Sequence, residues 1–251
     1  MLSKNLTKYL HSLQLKKFRL EHNAFLVEGA KSVLELLTAD FQTELVVVTE
    51  QFYKENTQKL EKQPFRLEIA TADELARAGT LQTNDAALAV VKTKDNDFLY
   101  AEKGEYVLVL DDIRDPGNLG TIIRIADWYG ITKIICSQTT TDWYNPKVIA
   151  ASKGSFTRVR GYFVELTAYL VKVSNMEHGI GIYGTFLEGK NIHQTSFGNT
   201  GYIVMGNESN GIGPTVERFV THKITIPRFG GAESLNVGIA AAVVLDNLRR
   251  V

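Results

Sequence analysis

The sequence predicts an α/β fold in two parts, a small α/β domain over residues 1–97 and a larger parallel-sheet domain over residues 104–251. Three observations predict it. Apolar strand-like runs alternate with helical segments along the chain. Three of the later runs end in polar or glycine-rich turns, where open α/β sheets place their ligand crevice. Between the two parts lies Thr93-Lys-Asp-Asn-Asp97, a short polar stretch with the character of a linker.

In the first part, residues 24–28 read as a short strand and 30–37 as a helix with Val33, Leu34 and Leu37 on one face. Residues 44–49 are rich in β-branched side chains and read as a strand, followed by a polar helix over 51–62. A strand over 65–70, a helix over 72–78 and a strand over 87–92 complete the unit. In the second part the strands are longer and more apolar. Strand 106–113 leads to helix 120–129, and strand 133–137 to a helix capped by Asn145 with Pro146 at its first position. Residues 166–178 are helical, 181–186 and 202–205 are strands, and 214–222 is a helix. Strand 223–227 precedes a final helix over 234–250. Such alternation implies parallel strands covered on both faces.

Composition excludes several classes. The single cysteine, Cys136, cannot form an internal disulfide, and its setting in Ile134-Ile-Cys136 reads as a buried structural thiol. The five histidines show no metal-ligand spacing, so no metal site is expected. No run approaches the roughly 18 apolar residues of a membrane span. The N-terminus lacks an apolar signal core, which predicts a cytoplasmic protein. Lys plus Arg (28) balances Asp plus Glu (28). Locally, Lys4, Lys8, Lys16, Lys17 and Arg19 precede the first acid, Glu21, and Lys147, Lys153, Arg158 and Arg160 form a second acid-free stretch. Tracking of phosphates and simple solvated faces explain these stretches equally well.

Among the motifs, Gly184 to Lys190 has the spacing of a phosphate-binding loop. Asn191 stands where that loop needs a hydroxyl, and no helical period follows, so nucleotide triphosphate binding is set aside. The pair Asp111-Asp112 reads as a solvated strand end. Asp115-Pro-Gly-Asn-Leu-Gly120, with Arg124 beyond it, is turn chemistry running into a helix, and taken alone serves structure or function equally. Gly206-Asn-Glu-Ser-Asn-Gly211 is harder to explain structurally, because Glu208 in a crowded turn needs a partner. Ser234 suits the cap of the last helix, which would leave Asn236 in the first turn without a structural reason.

Together these residues carry a resemblance. Asn118-x-Gly120-x3-Arg124, Met205-Gly-Asn-Glu-Ser-Asn-Gly-Ile212 and Ile226-Pro227…Glu233-Ser-Leu-Asn-Val237 resemble the three ordered motifs of the SpoU (TrmH) family of RNA ribose 2′-O-methyltransferases, in the SPOUT superfamily. The match spans roughly residues 104–250. More loosely, Lys16-Lys17-x-Arg19 and Phe25-Leu-Val-Glu28-Gly29 resemble the small ribosomal-protein-like substrate-binding domain of members acting on ribosomal RNA. The resemblance implies a C-terminal trefoil knot, a homodimer with its active site at the interface, and S-adenosylmethionine as cofactor. It implies cofactor contacts at Thr185, Gly206, Ile226 and Leu235, and a catalytic set of Asn118, Arg124, Glu208, Ser234 and Asn236. Two positions depart from the family pattern: Arg228 replaces a residue that is usually apolar, and Gly238 a common serine.

The implied reaction transfers a methyl group to a ribose 2′-hydroxyl of RNA, with large-subunit ribosomal RNA as the first expectation. A tRNA target and a catalytically silent RNA-binding assembly factor are the rivals. Retention of the polar residues in all three motifs argues against the silent reading, and the extra N-terminal domain favours rRNA by analogy. The last helix, apolar around much of its circumference, is expected to meet a second copy.

Overall fold

The computed structural model describes residues 2–81, 83–176 and 179–250. They form two compact units, one of residues 1–95 with 142–157, the other of 96–141 with 158–251. The first crossing between units falls inside the polar stretch 93–97. Residues 142–157 belong to the second half by sequence but pack with the first unit.

The first unit opens with two helices that the strand–helix alternation did not anticipate, α1 (Lys4–Ser12) and α2 (Lys16–His22). Ser3 caps α1 by accepting from Leu6 N–H, while Leu10 and Leu13 turn inward. Strands β1 (Ala24–Glu28), β2 (Thr43–Val48), β3 (Arg66–Ile69) and β4 (Ala87–Lys92) form one sheet in the order β1-β4-β2-β3. Only β2 and β3 run parallel in it; β4 is antiparallel to both its neighbours. Helices α3 (Ala30–Leu36), α4 (Glu50–Leu60) and α5 (Ala72–Ala78) lie near their expected places. In α3 and at its cap the inward residues are Val33, Leu36 and, as expected, Leu37, with Leu34 only half-buried.

Residues 142–157 complete this unit. The helix α7 (Pro146–Ser152) starts as its sequence predicts, with Asn145 accepting from Lys147 N–H and proline at the first position. Phe25 of β1 meets the rings of Tyr144 at 4.5 Å and Phe156 at 5.9 Å. Arg19 is only 4% exposed and clasps Asp142 with Nε (3.1 Å) and Nη2 (2.6 Å), while Nη1 donates to the carbonyls of Leu13 and Gln14. A buried guanidinium with these partners is a structural clasp. Of the first basic stretch only Lys4, Lys8, Lys16 and Lys17 are exposed to meet a phosphate. In the second stretch, Arg158 is engaged with Asp127 and Arg160 with Asp97.

The second unit is the parallel sheet that the alternation implies. Its strands are β5 (Tyr106–Leu110), β6 (Lys133–Ser137), β7 (Arg160–Val164), β8 (Gly181–Asn191), β9 (Gly201–Met205) and β10 (His222–Thr225). They lie in the order β10-β8-β9-β5-β6-β7, and every pairing is parallel. Central strands β5 and β9 are buried at every position, as near-continuous apolar runs covered on both faces should be. On one face Val107, Val109, Tyr202 and Val204 pack with Tyr169, Leu170 and Val173 of α8 (Leu166–Met176). The last two residues expected in this helix, 177 and 178, lie outside the described residues. Helices α6 (Pro116–Trp128) and α10 (Val237–Arg249) pack on each other.

Several boundaries differ from expectation. Strand β7 is an edge strand whose mixed sequence gave no alternating signal. Helix α9 is a single turn (Pro214–Glu217), and His222 already belongs to β10. Strand β8 runs five residues further than expected. It pairs with β10 at Tyr183 and Gly184, leaves it, and pairs again at Lys190 and Asn191. Gly189 permits the second approach, since a Cβ there would sit 2.8 Å from the Lys223 carbonyl oxygen. The segment from Gly184 to Lys190 is therefore strand, and only a 3-10 turn (Ile192–Gln194) follows it.

Candidate active site

All three motifs meet at the carboxyl ends of β5, β9 and β10. After β5 the chain turns at Asp112, whose backbone is left-handed (φ 61°) and whose N–H donates to Ser137 Oγ. Asp115 then caps α6, accepting from Asn118 N–H at 2.8 Å, with Pro116 in the first turn. Helix α6 thus begins four residues before the expected start at Gly120, and Asn118 lies in its first turn. The signal was present: Asp-Pro is a cap followed by a first-position proline.

After β9, Gly206 brings the chain against its own return. A Cβ there would lie 2.2 Å from the Gly211 carbonyl carbon, so no side chain fits. Asn207 and Gly211 exchange backbone hydrogen bonds at 3.0 and 2.9 Å, closing the loop. Asn207 Oδ1 accepts from the N–H groups of Ser209 and Asn210, while its Nδ2 donates to the Asp112 carbonyl. Asp111 accepts from Gly213 N–H at 2.8 Å. The pair Asp111-Asp112 therefore ties the second motif to the end of β5. Burial raises the Asp111 carboxyl above its usual range against the lowering effect of Gly213, while Arg114 holds Asp112 low by hydrogen bonding. Asn207 is a positioning residue that sequence reasoning did not single out. Its signal is an asparagine two and three residues before the N–H groups it accepts from.

Helix α10 begins at Val237, not Ser234, and its cap is Asn236. Asn236 Oδ1 accepts from Gly238 N–H (3.0 Å) and Ile239 N–H (3.3 Å). The structural reason that seemed missing for Asn236 is thus supplied by the helix end, and the one assigned to Ser234 is withdrawn. This cap has a chemical consequence. With its oxygen held by helix donors, Asn236 must present its NH2, which donates to Asn118 Oδ1 at 2.8 Å. Asn118 must then present its own NH2, which donates to Glu208 Oε1 at 2.5 Å. One end of α10 fixes the direction of a hydrogen-bond chain, Asn236 to Asn118 to Glu208, that joins all three motifs. Glu208 thereby has the partner that its crowded turn demanded.

Not every expected residue joins this chain. Ser234 is exposed in the loop before α10. Arg124 lies on the exposed side of α6 and has no hydrogen-bond or ion-pair partner among the described residues. Six residues along a helix separate it from Asn118 by about 9 Å of rise and roughly 120° of rotation. Within one chain Arg124 does not share a face with the amide chain. Gly238 has a local explanation: a Cβ there would be 3.1 Å from Thr121 Cγ2 and 3.2 Å from Asn236 Oδ1, so its absence eases the approach of α10 to α6.

The residues expected to hold a cofactor lie in the same region. Thr185 donates its hydroxyl to the Val204 carbonyl of β9 at 3.2 Å. Gly206 and Ile226 directly follow β9 and β10, and Leu235 precedes the cap of α10. Half-buried Ile226 and partly exposed Leu235 offer apolar surface, and no atom approaches the Cβ positions of Gly230 and Gly231. Apolar walls at strand ends, with open loop backbone beside them, fit the adenosine of S-adenosylmethionine. Among the described residues no group of His, Cys, Asp and Glu side chains could hold a metal ion. Cys136 is fully buried, and burial pushes its thiol far up, as befits a structural residue.

A parallel sheet with a polar side-chain chain at its strand ends, preceded by a smaller unit, defines the class as an α/β protein with a ligand site at its strand ends. Residues 105–246 match the model of the SpoU rRNA methylase family, more than half of the chain, and residues 4–89 match an MRM3-like substrate binding domain. The chain belongs to the SpoU rRNA methylase family. It is 28% identical to the 23S rRNA guanosine 2′-O-methyltransferase RlmP of Bacillus subtilis, covering 94% of this chain and 93% of that one. A TrmH-family structure from Porphyromonas gingivalis shares 32% identity with a TM-score of 0.88, covering 99% and 98% of the two chains. An S-adenosylmethionine-bound rRNA methyltransferase from Sinorhizobium meliloti shares 25% identity, also with a TM-score of 0.88, covering 99% and 95%.

Proposed function

We propose that this protein methylates a ribose 2′-hydroxyl of large-subunit ribosomal RNA, using S-adenosylmethionine. The observation that carries the reading is the directed chain Asn236–Asn118–Glu208, which joins the three family motifs beside the loops suited to the cofactor. The cofactor supplies an already activated methyl group when bound. The chain must therefore align the hydroxyl, help its proton leave and keep the developing alkoxide favourable.

Asn118 and Asn236 orient the hydroxyl, and Glu208 fixes the Asn118 amide. Ser234, exposed in the adjoining loop, meets polar atoms of substrate or cofactor. Arg124 acts as a planar donor of several N–H groups. It holds the ribose and its neighbouring phosphate, and the proton passes to that phosphate or to water. Thr185, Gly206, Ile226 and Leu235 hold the adenosine.

The working form is a homodimer. Support comes from the exposed side of α6, where the unpartnered Arg124 lies four residues from Trp128, which is 83% exposed, and from Ile239 exposed on α10. A second copy covering this surface would bring a cation to an amide chain that bonds to none among the described residues. Light scattering at micromolar concentration should give the mass of two chains; one chain's mass would refute this. The C-terminal segment forms a trefoil knot. The course of the chain supports it, from β10 at the far edge beyond β8 back to α10 against α6, which follows β5.

The first unit recruits RNA through Lys4, Lys8, Lys16 and Lys17. Replacing all four with alanine should flatten the log–log salt dependence of RNA binding by about 0.7–0.9 for each phosphate no longer neutralised. An unchanged slope would remove that role. A ribosomal RNA target is consistent with a reaction in the cytoplasm. The decisive experiment is a map of ribose methylations in total RNA from a strain lacking the gene. One missing methylation in large-subunit rRNA is expected, whereas a missing tRNA methylation would reassign the substrate and an unchanged map would favour a silent assembly factor.

A further inference from the structure

We infer that Phe229 is a stacking platform for a nucleobase of the RNA, and so a substrate-binding residue for the reaction proposed above, on which this inference rests. Among the large apolar side chains of the described residues Phe229 is the most exposed, at 95%. A single exposed apolar residue is ordinary in a protein surface. A phenyl ring almost without contact from its own chain, in the loop that carries the third motif, calls for a ligand.

The loop presents this ring. Pro227 fixes the backbone as the chain leaves β10. Arg228 then donates from Nη1 to the Ala232 carbonyl at 3.3 Å, drawing the loop together around Phe229, Gly230 and Gly231. Neither glycine has an atom within 4 Å of where its Cβ would be, so the tip stands clear of the body of the unit. The far end of the loop is anchored, because Asn236 is bound both to α10 and to Asn118. The ring thus sits on a loop tied at one end to the amide chain and at the other to β10.

The chemistry around it favours a nucleotide over an apolar protein surface. The adjacent residue is the cation Arg228, at a position where a purely apolar contact would gain nothing from charge. Sequence-specific RNA recognition relies on bases displaced from their neighbours and stacked on aromatic rings or guanidinium planes. Each such stack is sequence-tolerant, because every base has a flat π-face. Phe229 would replace the stacking forfeited when a nucleotide is drawn out to offer its 2′-hydroxyl, and Arg228 would meet its phosphate or flank the same base.

The test compares Phe229→Leu, Phe229→Tyr and Phe229→Trp in the full chain. Leucine keeps apolar bulk but has no ring face. The substrate is total RNA from a strain lacking the gene, which contains every unmethylated target. Phe229→Leu is expected to raise the KM for RNA by roughly 5- to 150-fold, the range for removing one stack, with kcat little changed. Tyrosine and tryptophan should restore the wild-type KM. Affinity for S-adenosylmethionine by calorimetry and mass by light scattering should match the unaltered protein in all three. A leucine variant with wild-type KM would overturn the inference. So would a loss that follows cofactor affinity, which would put the ring on the cofactor, or a fall to single-chain mass, which would put it in a subunit interface. Absence of transfer by the unaltered protein would instead overturn the methyltransferase reading, and this inference with it.

Discussion

The two ends of the six-stranded sheet use their polar groups differently. At the amino end, tyrosine hydroxyls are spent on the backbone. Tyr106 donates to the Gly198 carbonyl at 2.6 Å, Tyr183 accepts from Gly198 N–H at 3.1 Å, Tyr202 accepts from Ala101 N–H at 3.0 Å, and Tyr169 donates to the Leu99 carbonyl at 2.9 Å. Lys133 is held there by Glu102 and Glu105. Each bond ties a loop to a strand or helix. At the carboxyl end, Asn236, Asn118 and Glu208 also bond side chain to side chain, and a cation, a hydroxyl and an aromatic ring remain turned to solvent. Self-satisfied polar groups hold a fold together, whereas groups left turned outward are available for chemistry.

The contrast can be broken most sharply at Arg124. Arg124→Ala should abolish methyl transfer while leaving S-adenosylmethionine binding nearly intact and the unfolding midpoint unchanged, since the side chain has no partner among the described residues to lose. Retained full activity in a transfer assay would remove it from the mechanism. Asn118→Ala interrupts the amide chain and should lower kcat by roughly 10²–10³-fold, the scale for one oriented donor. A change confined to stability would make that chain structural, like its counterpart at the other end.

Tyr202→Phe probes the amino end. Leaving the buried Ala101 N–H without its acceptor should cost about 1–3 kcal/mol, a fall in Tm of several degrees by calorimetry. Transfer per folded molecule should not change. The smallest effect is expected at Asp111, where the two kinds of use meet. Burial raises its folded pKa above the unfolded value, so its charge opposes folding at neutral pH, and stability from this group rises as pH falls through the folded value. Asp112 works in the opposite sense: held low by Arg114, it contributes stability that is lost as pH falls. Asp111→Asn keeps an acceptor for Gly213 and removes the opposing charge. Its Tm at pH 7 should equal or slightly exceed the wild type, and its decline on acidification should be steeper. A decline parallel to the wild type would show that the Asp111 charge does not oppose folding.

The parallel sheet and its three strand-end motifs were legible because apolar runs, glycine turns and caps are local patterns. So was the need of Glu208 for a partner, although not which one. What sequence could not supply was long-range pairing. Arg19 reads as one more cation in a basic run until Asp142, 123 positions later, is found against it. Asn236 is without a structural reason as long as the helix cap is set at Ser234, two residues too early. Ser234 and Asn236 are both good caps, and only the backbone decides between them. Strand β7 was missed because an edge strand need not alternate, and α1 because its one buried residue, Leu10, leaves too narrow an apolar stripe.

The share of the first unit contributed by residues 142–157 also bears on the protein's birth. A chain is made from its N-terminus, at roughly 5–20 residues per second. When residue 95 emerges from the ribosome, the residues of β1 have been made but Phe25 has neither Tyr144 nor Phe156 to cover it, and Arg19 has no Asp142 to clasp. Those partners arrive about 60 residues later, several seconds on, after β5, α6 and β6 have been made. The first unit cannot finish folding before about a third of the second has been synthesised, so the chain must wait on its own ribosome to close its first core.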